Sequence, residues 1–278
     1  MRLGGPIFEQ YGDPAEWARA VRALGYSAAY CPVDNAAADD VVASFAGAAR
    51  EHDIVIAEVG AWRNPLDPDE STRTSAIGFC KAQLALAERI GARCCVNISG
   101  SRGEQWDGPH PANLTPDTFA LVVDTAREII DAVKPKRTFY TLETMPWMYP
   151  DSPESYLDLI RAIDRPAFGA HLDPVNLVCS PQRYFTNASL IRECFALLGP
   201  HIKSCHAKDI SLSGKLTTHL DEARPGLGGL DYGAYLTELA KLDQDVPLMI
   251  EHLATPEEYV AAASHIRSIA DGLGLRFA

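Results

Sequence analysis

The sequence predicts a closed (β/α)8 barrel, and three observations carry that prediction. The chain has 278 residues, close to the roughly 250 that eight βα units need. Short β-like runs alternate with longer helical runs eight times along it, the pattern of a parallel sheet with right-handed crossovers. No G-x-G-x-x-G follows the first β-like run, which removes the main support for an open dinucleotide-binding sheet. No shift in composition marks a second domain, so the barrel is expected to take in residues 1–278.

Residues 2–8 read as a weak first strand. Asp13 is placed to cap a helix that starts at Pro14 and ends near Gly25. Tyr26 to Cys31 reads as the second strand and Ala37 to His52 as an alanine-rich helix. Ile54 to Val59 is the third strand, and Ser71 to Ile90 a long helix closed by Gly91. Ala92 to Ile98 is the fourth. Thr115-Pro116-Asp117 opens a helix to about Val133, Thr138 to Glu143 is the fifth strand, and Ser152-Pro153-Glu154 opens a helix to Ile163. Ala167 to Asp173 is the sixth strand, followed by a helix over roughly Asn187 to Leu198. His201 to His206 is the seventh, then an irregular stretch from Ser211 to Gly229 and a helix from Asp231 to about Leu242. Val246 to Glu251 is the eighth, and the last helix runs from Pro256 to about Asp271. The longest irregular segments, 99–114 and 207–229, both follow strands, on the face where a barrel keeps its chemistry.

Composition narrows the function classes. The net charge of −12 argues against a phosphate-backbone partner, so no nucleic acid is expected. No apolar run approaches the ~20 residues of a membrane span, and the start MRLGGPIFEQYGD lacks the apolar stretch of a secretory signal. The seven cysteines are odd in number and include no C-x-x-C pair. Neither a disulfide scaffold nor a thiolate zinc site is indicated, and a reduced, cytoplasmic protein is expected.

The strand ends carry the chemistry. The fifth ends Thr141-Leu142-Glu143, the sixth His171-Leu172-Asp173, the seventh Ser204-Cys205-His206 and the eighth Met249-Ile250-Glu251. The four terminal residues are about 30, 33 and 45 residues apart, each gap close to one βα unit, so Glu143, Asp173, His206 and Glu251 are expected side by side on one rim. Three carboxylates there repel unless a cation neutralises them. Three oxygens and one imidazole nitrogen suit a single Mn²⁺, Mg²⁺, Co²⁺ or Zn²⁺.

Other residues are secondary candidates. Lys208 is expected in the same mouth, as a substrate hydroxyl donor or an acid, or in a salt bridge to Asp209 or another carboxylate. Glu58, near the end of the third strand, is a candidate acceptor for substrate hydroxyls, or one half of a buried pair with an arginine. His110, between two prolines, and His219 are candidate loop acids or bases or plain surface histidines. Trp62, Trp106 and Trp147 follow strand ends and offer faces for the C–H groups of a substrate or for an apolar lid. His171 and His201 read as structural. Pro225-Gly226-Leu227-Gly228-Gly229 lacks a P-loop lysine and reads as a turn, or at most a weak anion site.

Leu142-Glu143, His171-Leu172-Asp173-Pro174-Val175-Asn176, Ser204-Cys205-His206-Ala207-Lys208-Asp209 and Ile250-Glu251-His252 together resemble the xylose-isomerase-like barrel proteins, the sugar phosphate isomerases and epimerases. The resemblance covers essentially the whole chain. It implies one divalent ion, commonly Mn²⁺, on Glu143, Asp173, His206 and Glu251, with Glu143 and Glu251 also moving protons. Asn176 and Lys208-Asp209 depart from the ketohexose epimerases, which carry a histidine and an arginine at about these places; the H-A-K-D form is closer to broad isomerase and inosose-dehydratase branches. Asn176 is expected to face substrate. Met145-Pro146-Trp147 and Arg192-Glu193-Cys194-Phe195 also resemble the catalytic subunits of C-glycoside deglycosidases, which cleave a sugar–aryl carbon–carbon bond.

The reading is therefore a metal-dependent sugar isomerase or epimerase that removes a proton next to a carbonyl. The alternatives are a carbon–carbon lyase on 3-oxo aryl C-glycosides and a non-catalytic sugar-binding barrel. Expected partners are a small sugar or sugar conjugate and further copies of the chain, or a small second subunit in the lyase case. The family's endonuclease branch is disfavoured by the charge and by the single four-residue cluster.

Overall fold

The computed structural model describes residues 1–278. Its strands are β1 (Arg2–Gly4), β2 (Ala28–Tyr30), β3 (Val55–Gly60), β4 (Cys94–Asn97), β5 (Phe139–Glu143), β6 (Phe168–Leu172), β7 (Ile202–Ala207), β8 (Asp209–Ser213), β9 (His219–Ala223) and β10 (Pro247–Ile250). Eight of them close a parallel barrel in the order β1-β10-β7-β6-β5-β4-β3-β2. The chain thus folds as the predicted (β/α)8 barrel, and β10 is the eighth barrel strand.

The outer ring is α1 (Pro14–Ala23), α2 (Asp39–Glu51), α3 (Glu70–Ile90), α4 (Pro116–Val133), α5 (Pro153–Ile163), α6 (Pro181–Phe185), α7 (Asn187–Leu198), α8 (Tyr232–Leu239) and α9 (Pro256–Gly272). The helix signals act as read. Asp13, Thr115, Ser152 and Thr255 each accept a backbone N–H of the first turn, with proline at the first helical position. Gly91 closes α3 at φ 78°, a backbone that glycine adopts freely. No helix is long and apolar enough to cross a membrane, and all seven cysteines are free.

Tyr156, fully buried on α5, inserts its hydroxyl between two strands. It accepts the N–H groups of Leu142 (3.2 Å) and His171 (3.0 Å) and lies 3.1 Å from the Gly169 carbonyl. It therefore ties β5 to β6 just below the rim. Tyr235 and Tyr232 of α8 donate to the carbonyls of His206 (2.9 Å) and Lys208 (2.7 Å) and fix the end of β7.

Two segments differ from the sequence reading. Residues 209–223, read as largely irregular, form an antiparallel hairpin of β8 and β9, with Asp209 opposite Ala223 and Ser213 opposite His219. The alternation Ile210-Ser211-Leu212-Ser213 is a strand signal, but it is short and ends at Gly214. A short helix, α6, also precedes α7, where none was read.

The glycine-rich turn after the hairpin does bind an anion, and the anion is the chain's own Asp209. Its Oδ2 accepts the N–H groups of Gly226 (2.9 Å) and Gly228 (3.0 Å), and its Oδ1 those of Leu230 (2.9 Å) and Ile210 (2.8 Å). A Cβ on residue 228 would collide with Asp209 Oδ1 and the Ile210 carbonyl, so only glycine fits. Asp209→Ala strands two buried donors, of Ile210 and Leu230, and two part-buried ones, and is expected to cost about 2–4 kcal/mol of stability. Gly228→Ala is expected to cost about 1–3 kcal/mol through overpacking. Denaturant unfolding of both variants checks this.

Candidate active site

Side chains on a strand alternate between its two faces, so within each strand the inward residues recur every second position. Glu143 closes β5, Asp173 follows β6, His206 lies in β7 and Glu251 follows β10. The ligand atoms of all four lie within 4.8 Å of one another. His206 Nδ1 stands 2.8 Å from Glu251 Oε1, 3.2 Å from Glu143 Oε1 and 3.9 Å from Asp173 Oδ2. Asp173 and His206 are fully buried and Glu143 nearly so.

This cluster fits a divalent ion. Asp173 Oδ2 and Glu251 Oε1 are buried without a hydrogen-bond partner. Lys208 Nζ lies 2.8 Å from each, but that contact is between charges and lacks hydrogen-bond alignment. The remaining lone pairs are engaged away from the centre: Asp173 Oδ1 accepts the Val175 N–H at 2.9 Å. Thr144 fixes the Asp173 backbone, donating to its carbonyl (2.7 Å) and accepting its N–H (3.0 Å). Asn176 Nδ2 donates to Glu143 Oε1 at 3.1 Å and to the Thr144 carbonyl at 3.0 Å.

The electrostatics without an ion are those of a carboxylate cluster held by two internal cations. Burial pushes the Glu143 carboxyl up, but His206 and Lys208 outweigh it and hold the group at about 2. Burial likewise opposes ionisation of Glu251, and His206 and Lys208 hold it well below the usual carboxylate range. Asp173 goes the other way: burial, with Glu143 and Glu251 nearby, raises it to about 6 against the pull of Lys208. Burial would lower His206, yet Glu251, Glu143 and Glu58 raise it well above the ordinary histidine value. Burial also opposes the Lys208 charge, and Asp173, Glu143 and Glu251 keep it protonated. Binding an ion at Nδ1 must therefore displace a proton from His206.

Glu58 is not a substrate residue. It is only 1% exposed and does not line the cavity above the cluster. Nor is its partner an arginine. Its Oε1 accepts from His171 Nε2 at 2.8 Å and from the Ser204 hydroxyl, and its Oε2 from His206 Nε2 at 3.3 Å. Because an ionised carboxylate only accepts, the Nε2–H belongs to His206, and Nδ1, which faces the cluster, is the nitrogen that gives up its proton to an ion. Glu58 is thus a positioning residue. His171 is structural as read, in the layer beneath, and His201 lies in a short 3-10 turn before β7.

A cavity of about 520 Å³ opens above the cluster. Glu143, Glu251, Lys208, Asn176, Trp62, Trp106 and Trp147 are among the residues that line it. Lys208 does not pair with Asp209; it bonds to Glu222 Oε1 at 3.1 Å besides its contacts in the cluster. Two histidine candidates fall outside. His110 is exposed, its Nδ1 accepts the Ala112 N–H at 3.3 Å, and its ring packs on Gly103, so the proline-flanked loop turns it away from the cavity. His219 is exposed on β9 of the hairpin, outside the cavity wall. In their place stand Tyr30, Glu222 and His252, with His252 Nδ1 3.1 Å from Glu222 Oε2. His252 directly follows Glu251, a signal the sequence did contain; Glu222 becomes visible only once the hairpin is paired.

Residues 18–269 match the model of the xylose isomerase-like TIM barrel family. The chain belongs to this family. No curated protein sequence matches it, while solved structures share its fold at low identity. A xylose isomerase-like TIM barrel protein from Mycobacterium smegmatis, in complex with magnesium, is 18% identical with a TM-score of 0.66, covering 94% of this chain and 89% of that one. D-Psicose 3-epimerase from Clostridium cellulolyticum is 14% identical with a TM-score of 0.68, covering 97% and 99%. Endonuclease IV from Thermus thermophilus is 14% identical with a TM-score of 0.74, covering 98% and 100%.

Two substitutions separate the roles of the neighbours of the cluster. Glu58→Gln removes the charge that polarises His206 and is expected to weaken Mn²⁺ binding by ~10–100-fold. Lys208→Met removes a competing cation and is expected to tighten it by roughly tenfold or more. Both are read by competition with a chelating dye. Calorimetry in buffers of different ionisation heat should show proton release on Mn²⁺ binding, and affinity should fall as pH drops through about 6, where Asp173 takes up a proton.

Proposed function

We propose that the chain is a divalent-metal-dependent sugar isomerase or epimerase that works by proton transfer next to a carbonyl. The observation that carries this is the double placement of Glu143 and Glu251: both point into the ligand cluster, and both line the cavity. Asp173 and His206 share the cluster but not the cavity wall, so they serve as ligands alone.

A bound divalent ion polarises a carbonyl and makes the adjacent C–H more acidic. Glu143 and Glu251 hold their carboxylates ionised, ready to accept that proton. One takes it, and the same group or the opposite one returns it. Return to the neighbouring carbon gives isomerisation; return to the other face gives epimerisation. Lys208 Nζ lies on the wall between the two glutamates and donates to a substrate oxygen. Asn176 holds Glu143 in place through its amide. The faces of Trp62, Trp106 and Trp147 pack on C–H faces of the sugar and exclude water. Mn²⁺ is the preferred ion, with Mg²⁺, Co²⁺ and Zn²⁺ compatible with the same donors. The epimerase and the magnesium-bound barrel among its structural relatives support this reading, and the net charge of −12 disfavours a nuclease. The free cysteines suit a reducing, cytoplasmic setting.

One observation favours a second reading. Tyr30, Trp62, Trp106 and Trp147 make the cavity strongly aromatic, which also suits the aryl group of a C-glycoside and hence the carbon–carbon lyase, with its small second subunit.

The test is a screen of Mn²⁺-loaded protein on free ketoses, inososes, 3-oxo sugars and aryl C-glycosides, following exchange of substrate hydrogen into D₂O. Glu143→Gln and Glu251→Gln are each expected to lower turnover by ~10²-fold or more while keeping much of the ion. Asp173→Asn and His206→Ala should lose the ion first. Chelation should abolish turnover and leave the barrel folded. Near-normal turnover in both glutamine variants overturns the mechanism, and aryl release from C-glycosides alone puts the lyase ahead.

A further inference from the structure

A second cavity, of about 510 Å³, lies beside the first, and the two share Trp62 and Trp106 in their walls. These two indoles are therefore a partition with a chamber on each side. They come from the two loops that follow β3 and β4, so the pair of chambers runs across the rim of the barrel.

The chambers differ in chemistry. The inner one holds the carboxylate cluster and is walled by aromatic rings. The outer one is lined by Arg63, Asp67, Ser71, Thr72 and Ser75, which offer hydroxyls and one group of each charge, and by Asn64, whose amide is already bonded to the Ser101 carbonyl (2.8 Å) and the Leu66 N–H (3.2 Å). Arg63 uses Nη1 on the Trp62 carbonyl at 2.7 Å, and its guanidinium lies 4.5 Å from the centre of the Phe79 ring. That contact holds the planar group against α3 and leaves further N–H donors for a ligand. Thr72 and Ser75 lie on successive turns of α3. Indole faces beside a set of hydroxyl-reading groups are what a pyranose ring needs, with apolar C–H faces and polar edges.

Charge excludes a phosphate on the reacting unit. In the inner chamber, Lys208 and His252 are already engaged by Glu143, Asp173, Glu222 and Glu251, which leaves no spare cation of the kind a phosphate group requires there. In the outer chamber Arg63 and Asp67 line the same wall.

We propose that the two chambers form one groove and that the substrate is a glycoside of two sugar units, unphosphorylated at the reacting unit. The reacting unit sits over Glu143 and Glu251, and the second unit passes Trp62 and Trp106 into the outer chamber. This rests on the isomerase or epimerase reading for the inner chamber, and it names the substrate as a disaccharide in place of a monosaccharide.

Calorimetric titration of the Mn²⁺-loaded full chain tests it, with D-glucose, methyl β-D-glucoside and glucose 6-phosphate against maltose, cellobiose, lactose and trehalose. At least one disaccharide is expected to bind about tenfold tighter than methyl glucoside, the worth of one or two net hydrogen bonds. Ser75→Tyr, which fills the outer chamber, and Arg63→Ala should each bring that disaccharide down to the affinity of methyl glucoside, which reports the inner chamber. Disaccharides that bind no tighter than methyl glucoside overturn the groove while leaving the sugar reading standing. So does a variant that weakens both classes equally, or tighter binding of glucose 6-phosphate than of every disaccharide. Binding of no sugar at all overturns both.

Discussion

Like charges brought together inside a low-dielectric barrel dominate this structure. Glu143, Asp173 and Glu251 converge on a point largely sealed from solvent, and the repulsion among them must be met from somewhere. The chain meets it provisionally with the imidazolium of His206 and the ammonium of Lys208, whose Nζ lies 2.8 Å from two of the three carboxylates. A divalent ion meets it better, because it brings two charges to atoms that have no aligned donor. The rest of the rim can be read as consequence: the tyrosines of α5 and α8 clamp the strand ends, and Thr144 and Asn176 fix the carboxylates, so that the convergence survives its own electrostatics.

The layer beneath the ligands shows how a barrel interior is used when it is not apolar. Glu58, His171 and Ser204 sit one step below the rim, each hidden from the cavity. Burying a carboxylate there is costly unless every lone pair is used, and Glu58 commits its two oxygens to His171, Ser204 and His206. The result sets which nitrogen of His206 carries hydrogen, a choice that decides whether the ring is a ligand at all. The stability of the interior and the readiness of the site are therefore the same set of hydrogen bonds.

Much of this was legible in the residues. Glu143, Asp173, His206 and Glu251 announce themselves because parallel βα units repeat at nearly constant length, so equivalent strand ends can be counted along the chain. The partner of Glu58 was not legible. Its position near a strand end is compatible with facing substrate or facing inward, and β2 and β3 shift register between Ala29 and Tyr30, so simple alternation from the neighbouring strands fails there. His110 and His219 looked chemically apt, but loop residues carry no periodicity that fixes their direction. Glu222 had the opposite problem: it is one acidic residue among many until β9 pairs with β8 and brings it to Lys208.

Lys208 and Asp209 are consecutive, and the chain at that point sends one side chain into the cavity and the other into the glycine turn. Asp209 gathers four backbone N–H groups at the base of the hairpin, so the position of Lys208 is set below the hairpin and independently of its tip, Gly214 to Thr218. The tip, where Leu216 is 96% exposed, is free to change length and sequence without disturbing the ammonium. Divergence among such barrels can then proceed by rewriting the hairpin tip while Lys208 and the carboxylates around it are inherited intact.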